Sequence, residues 1–109
     1  NHPVAFAKDR LIKAPEKARP NMGMGIYLAH QKKYQQAIRY FREALTRDPK
    51  PRVVASTHNN LATALAKTGQ LEAAVVHYRK TLSIDPDDKN ARTNLEKVLR
   101  FMKRRNNTE

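Results

Sequence analysis

The chain has 109 residues, is 39% hydrophobic and carries a formal charge of +12, a size that supports one compact core and not two. It has no cysteine, which excludes disulfide frameworks, thiolate metal sites and sulfur nucleophiles. No run of about 18 apolar residues is available to cross a bilayer, and the charge admits three partner classes: nucleic acid, an anionic membrane surface or an acidic protein.

Along the chain, the first apolar set at helical spacing is Met24, Gly25 and Leu28, ended by Gln31-Lys32-Lys33. The second is Tyr34, Ala37, Ile38, Phe41 and Leu45, whose steps of three and four make one buried stripe. Asp48-Pro49 stops it, because the residue before proline is pushed out of the α region and proline cannot continue the hydrogen-bond ladder. A third set, Leu61, Ala62 and Leu65, ends at KTGQ, and a fourth, Leu71, Ala74, Val75, Tyr78 and Leu82, is stopped by Asp85-Pro86. The stretches YQQAIRYFREALTRDP and LEAAVVHYRKTLSIDP align at an offset of 37 residues. Each unit therefore reads as helix, tight turn, helix. The alternation that marks strands is missing, so the fold class is all-α.

These residues resemble the tetratricopeptide repeat (TPR) family, whose signature runs from a large residue through Leu-Gly and an aromatic to Ala-x3-aromatic and a closing proline. Here the pattern is Met24-Gly25-x2-Leu28, Ala37-x3-Phe41 and Pro49, then Leu61-Ala62-x2-Leu65, Ala74-x3-Tyr78 and Pro86. Asn21 and His58 stand where the family often has Trp, and Leu28 and Leu65 replace an aromatic. The resemblance implies a solenoid of about six antiparallel helices in a single domain over 1–109, with repeats at 18–49 and 52–86. Gly25 and Ala62 are then small residues that let helices approach closely.

The same resemblance extends to both ends. Pro15 precedes Pro49 by 34 residues, so residues 3–14 look like the second helix of a truncated repeat. The chain is on this reading a C-terminal fragment of a longer array, and weak self-association through 3–14 is expected, because exposed repeat ends are apolar. Residues 87–105 look like a first helix without its partner. Glu96, at the site of Gly25 and Ala62, makes it a solvating cap. The segment KPRVVAS is open between a longer connection and an extra helical turn.

TPR members generally hold peptide segments in a concave groove lined by first helices, so the resemblance implies a non-catalytic protein-interaction scaffold. Carried over by position, the inward residues are Arg19, Met22, Gly23, Ile26 and Ala29, then Ser56, Asn59, Asn60, Thr63 and Lys67. The last helix adds Asn90, Thr93, Asn94, Lys97 and Arg100. The family's clamp for a terminal carboxylate matches only at Asn60, which excludes that mode here. Asn60 and Asn94 recur at the same inward site and resemble the asparagine ladder with which some TPR superhelices hold peptide backbones, an amide being both donor and acceptor. Gly23 leaves that ladder without a rung.

Two alternatives stand beside this reading. KARPNMGMG is similar to the segment that opens TPR tails of bacterial glycosyltransferase-like membrane proteins, which implies a regulatory tail with its basic half near anionic lipid. The basic residues, among them the tail KRRNN, suggest a nucleic-acid module, but Tyr34, Phe41 and Tyr78 sit on buried stripes and leave few rings to stack bases. A solvated basic face is preferred.

For chemistry the chain offers little. Its four histidines lack metalloprotease spacing, although His58 and His77 share a neighbourhood, and no nucleophile stands in a recognised setting. DPDDKN places Asp85, Asp87 and Glu96 at calcium-loop positions, but Lys89 and Asn90 occupy sites that need a ligand and a glycine, so its acids are read as favouring the next helix start. Neither catalysis, metal, cofactor nor small-molecule substrate is expected. Asn106-Asn107-Thr108 matches a glycosylation sequon by pattern alone.

Overall fold

The computed structural model describes residues 18–47 and 50–107. They form five helices: α1 (Ala18–His30), α2 (Tyr34–Arg47), α3 (Pro51–Lys67), α4 (Leu71–Ile84) and α5 (Lys89–Asn107). No strand occurs among the described residues. The helix expected over 3–14, the self-association assigned to it and the prolines 15 and 49 lie outside them.

The two tight turns are built alike. At the end of α3, Gly69 takes φ +84, its N–H donates to the Ala66 carbonyl at 3.0 Å and the Gln70 N–H reaches Leu65 at 2.9 Å. This closure satisfies carbonyls that the helix end would otherwise orphan. At the end of α1 the same bonds run from Lys32 to Ala29 and from Lys33 to Leu28, both at 2.9 Å, and Lys32 takes φ 62. Lys32 stands 37 residues before Gly69, so the repeat preserves the turn while a side-chain-bearing residue occupies its left-handed position.

The segment left open by the sequence is an extra helical turn. Pro51 sits at the start of α3, where its missing N–H is no loss, and Val53 and Ala55 are buried. α5 starts on Asp88, whose carboxylate accepts from the Ala91 N–H at 3.0 Å. The acids of DPDDKN thus serve a turn and a cap, and Arg92 adds a bond to the Pro86 carbonyl.

The core runs between the helices as one continuous layer. Ala37, Phe41, Leu61, Ala62, Leu65, Ala74 and Tyr78 are all buried in it, with Met24 and Leu28 at one end and Ala91 and Val98 at the other. Truncating a buried leucine such as Leu61 or Leu65 in such a layer costs about 2–5 kcal/mol. Polar bonds cross it too: Thr81 Oγ1 donates to the Ala55 carbonyl at 3.0 Å, and the Tyr78 hydroxyl meets Thr63 Oγ1 at 2.8 Å. The last contact leaves the Tyr78 ring in the core and its hydroxyl near the surface of α3.

Helix α3 is central, touching each of the other four. α1 meets α3 and α3 meets α5, whereas α2 and α4 do not touch each other. The stack is therefore tighter on the α1, α3, α5 side, and that side is concave.

Candidate functional site: the concave face

Two adjoining hollows lie along the concave side. The first, about 240 Å³, is bounded by Ile26 and Ala29 of α1, Tyr34 and Phe41 of α2, and Asn60 and Lys67 of α3. The second, about 570 Å³, lies between α3 and α5 over the start of α4, with Leu71, Tyr78, Val98 and Phe101 as its apolar lining. Asn94, Lys97 and Arg105 add polar groups from α5. Thr63 and Lys67 border both hollows, so the two form a continuous path.

Helix periodicity explains how α5 contributes. Asn94, Lys97 and Phe101 follow one another by three and four residues and so lie on one face. Phe101 is 58% exposed, the most exposed large apolar side chain among the described residues, while Val98 beside it is buried. The face thus offers an unfilled aromatic next to a cation. Arg105 is engaged at the rim, its guanidinium 2.9 Å from the Glu72 carboxylate.

The sequence-derived inward residues divide into two groups. Ile26, Ala29, Asn60, Thr63, Lys67, Asn94 and Lys97 border the hollows. Met22 does not, since it packs between helices, near Ala44 and Val53, with its sulfur 3.2 Å from the Thr57 hydroxyl. Asn59 holds its carboxamide oxygen buried without a partner, and Asn90, Ser56, Thr93, Gly23 and Arg100 are exposed away from both hollows. The side chain of Arg19 lies outside the described residues. Reasoning from first helices alone missed Tyr34, Leu71 and Phe101. The first two start second helices, and Phe101 was one step further along the stripe of Asn94 and Lys97.

Neither Asn60 nor Asn94 makes a side-chain hydrogen bond to another described residue. Each amide borders a hollow, so each retains a donor and an acceptor for a bound group. Polar atoms left in this state are anchors for a backbone or for water.

The two residues where the family often has Trp are both buried, Asn21 of α1 at 3% and His58 of α3 at 9% exposure. His58 is stacked on His77 of α4 with ring centroids 5.0 Å apart, and their Nδ1 atoms are 2.8 Å apart. One ring must donate and the other accept, which requires that they not both be protonated. Burial pushes the His77 imidazole down from the usual 6.5 to about 4, helped by His58, Lys80 and Arg42. His58 is lowered as well, by burial first and then by Lys80. No group of three or more metal-ligating side chains occurs among the described residues, and the pair is a packing contact between α3 and α4.

The family model for the tetratricopeptide repeat matches residues 16–87. A comparison with curated proteins returns no match.

Proposed function

The chain belongs to the tetratricopeptide repeat family, whose members typically serve as non-catalytic scaffolds that bind other proteins, and we propose that it binds an extended peptide segment along its concave face. The observation that carries this reading is the continuity of the two hollows across α1, α3 and α5, with the Asn60 and Asn94 amides bordering them. An extended segment presents carbonyls and N–H groups along its length, and an amide, being both donor and acceptor, can bond either irrespective of side chains. Apolar side chains of the segment would settle against Ile26 and Tyr34 at one end and Phe101 at the other.

The test uses peptides selected on this chain from a random dodecapeptide library, titrated calorimetrically. Replacing Asn60→Ala together with Asn94→Ala is expected to weaken their binding while leaving the melting temperature nearly unchanged. Equal affinity in the double variant would remove the amide ladder from the account.

Among the described residues no helix is long and apolar enough to cross a membrane. A regulatory tail of a membrane enzyme would use this same face for its contacts, so that alternative concerns what surrounds the chain and not how the face works.

A further inference from the structure

The hollow between α3 and α5 has a one-sided chemistry. Its charged border consists of Lys67, Lys97 and Arg105, and no Asp or Glu side chain lines it. Helix α5 reinforces that sign, since among its nineteen residues seven are Lys or Arg and one is Glu. Neither Lys67 nor Lys97 takes part in an ion pair among the described residues, the two observed being Arg47–Glu43 and Arg105–Glu72. Charges held near a recess with apolar walls concentrate potential there and favour an occupant of opposite sign.

The apolar part is equally specific. Leu71, Tyr78 and Val98 are buried residues that also line the recess, and Phe101 stands beside them largely in water. Covering that ring removes apolar surface at about 25 cal/mol per Å², and a recess of about 570 Å³ falls within the range that accommodates a large side chain. Exposed aromatics of this kind act as anchors in binding interfaces. Asn94 at the same border supplies an unbonded amide for the backbone on either side.

From this combination we infer that the α3–α5 hollow is a specificity subsite for an acidic peptide segment, one large apolar side chain entering against Phe101 and flanking Asp or Glu side chains pairing with Lys67 and Lys97. The inference rests on the peptide-binding reading of the concave face and adds the composition of the partner. A single-stranded nucleic acid fits less well. Phe101 is the only exposed Phe, Tyr or Trp side chain among the described residues, whereas such strands stack successive bases on several rings.

The experiment compares the wild-type chain with Lys97→Glu and Phe101→Ser, both exposed positions whose variants are checked for unchanged helicity by circular dichroism. Each is used to select binders from a random dodecapeptide library with amidated ends, so that no terminal carboxylate contributes. Wild type should enrich peptides with several Asp or Glu around one large apolar residue. Those peptides should lose about tenfold or more in affinity on Lys97→Glu and on Phe101→Ser, and Lys97→Glu should itself lose the acidic preference. Enriched peptides without acidic bias, or binding that neither variant changes, would overturn the subsite while leaving groove binding intact. Failure to enrich any peptide would remove the groove reading itself. Competition of the selected peptides by an oligothymidine of twenty nucleotides at comparable affinity would overturn the peptide assignment in favour of nucleic acid.

Discussion

A β-carbon placed on Gly25 would lie 2.5 Å from Cε1 of Phe41, well inside contact distance of a ring that is itself buried. The glycine is therefore the space that the aromatic of the next helix occupies. The two residues belong to the same repeat unit, and their fit sets how closely α1 and α2 approach.

Gly25→Ala is expected to destabilise the chain. The added methyl must displace a ring packed in the core, an overpacking cost of about 1–3 kcal/mol that exceeds the roughly 1 kcal/mol of helix propensity gained. Gly23, two residues away, has nothing within 4 Å of its would-be β-carbon. Gly23→Ala should accordingly stabilise by about 0.5–1 kcal/mol. Urea unfolding of both variants checks the pair, and shifts of the same sign would contradict the packing argument.

Lys32 carries a left-handed backbone at φ 62 where the equivalent turn has Gly69. A side chain in that region costs about 1–2 kcal/mol, offset in part by the greater freedom glycine has when unfolded. Lys32→Gly should raise stability by about 0.5–1 kcal/mol, whereas Gly69→Ala should lower it. A destabilised Lys32→Gly variant would show that the turn draws more from the lysine than from its backbone geometry.

The His58–His77 pair predicts a pH effect with a definite sign. Both imidazoles have folded pKa values lowered by burial, so between the usual 6.5 and about 4 the unfolded chain binds more protons than the folded one. Stability is therefore constant with respect to this pair above the upper value and is lost as the pH falls through that window. His77→Gln keeps a polar partner for His58 and should flatten the slope between pH 4.5 and 6.5. Glu72, lowered by its own backbone bond and then by Arg105, contributes its loss below the usual 4.5 and does not mask the effect. An unchanged slope in His77→Gln would contradict the assignment.

The amides of Asn60 and Asn94 should behave independently of stability. Each hydrogen bond to a bound backbone is worth about 0.5–1.5 kcal/mol, so the double alanine variant should lose about 1–3 kcal/mol of binding. Its unfolding midpoint should match the parent, because neither amide is bonded to another described residue.

The helix pairs were legible because Ala37, Phe41, Ala74 and Tyr78 repeat at a fixed offset and all four are buried. The start of α3 was not, since Lys50-Pro51 suits a loop as well as a helix whose first residue is proline, and only the burial of Val53 and Ala55 decides it. Lys32 gave no signal as a turn residue, although its offset from Gly69 carried the information. Met22 read as a groove residue by position, yet its long side chain turns toward Thr57 and Val53 instead. The second hollow was read only in part, through Asn94 and Lys97, because recesses form between helices and the residues that start second helices line them too.

On the proposed reading, the concave side of α1, α3 and α5 is the binding surface. It is tested most directly by amide chemical-shift mapping of the labelled chain on titration with a peptide selected from the random library. The largest shifts are expected at Ile26, Asn60, Thr63, Lys67, Asn94, Lys97 and Phe101. Shifts concentrated instead on the outer faces of α2 and α4, around Arg39, Arg42 and Val76, would contradict it.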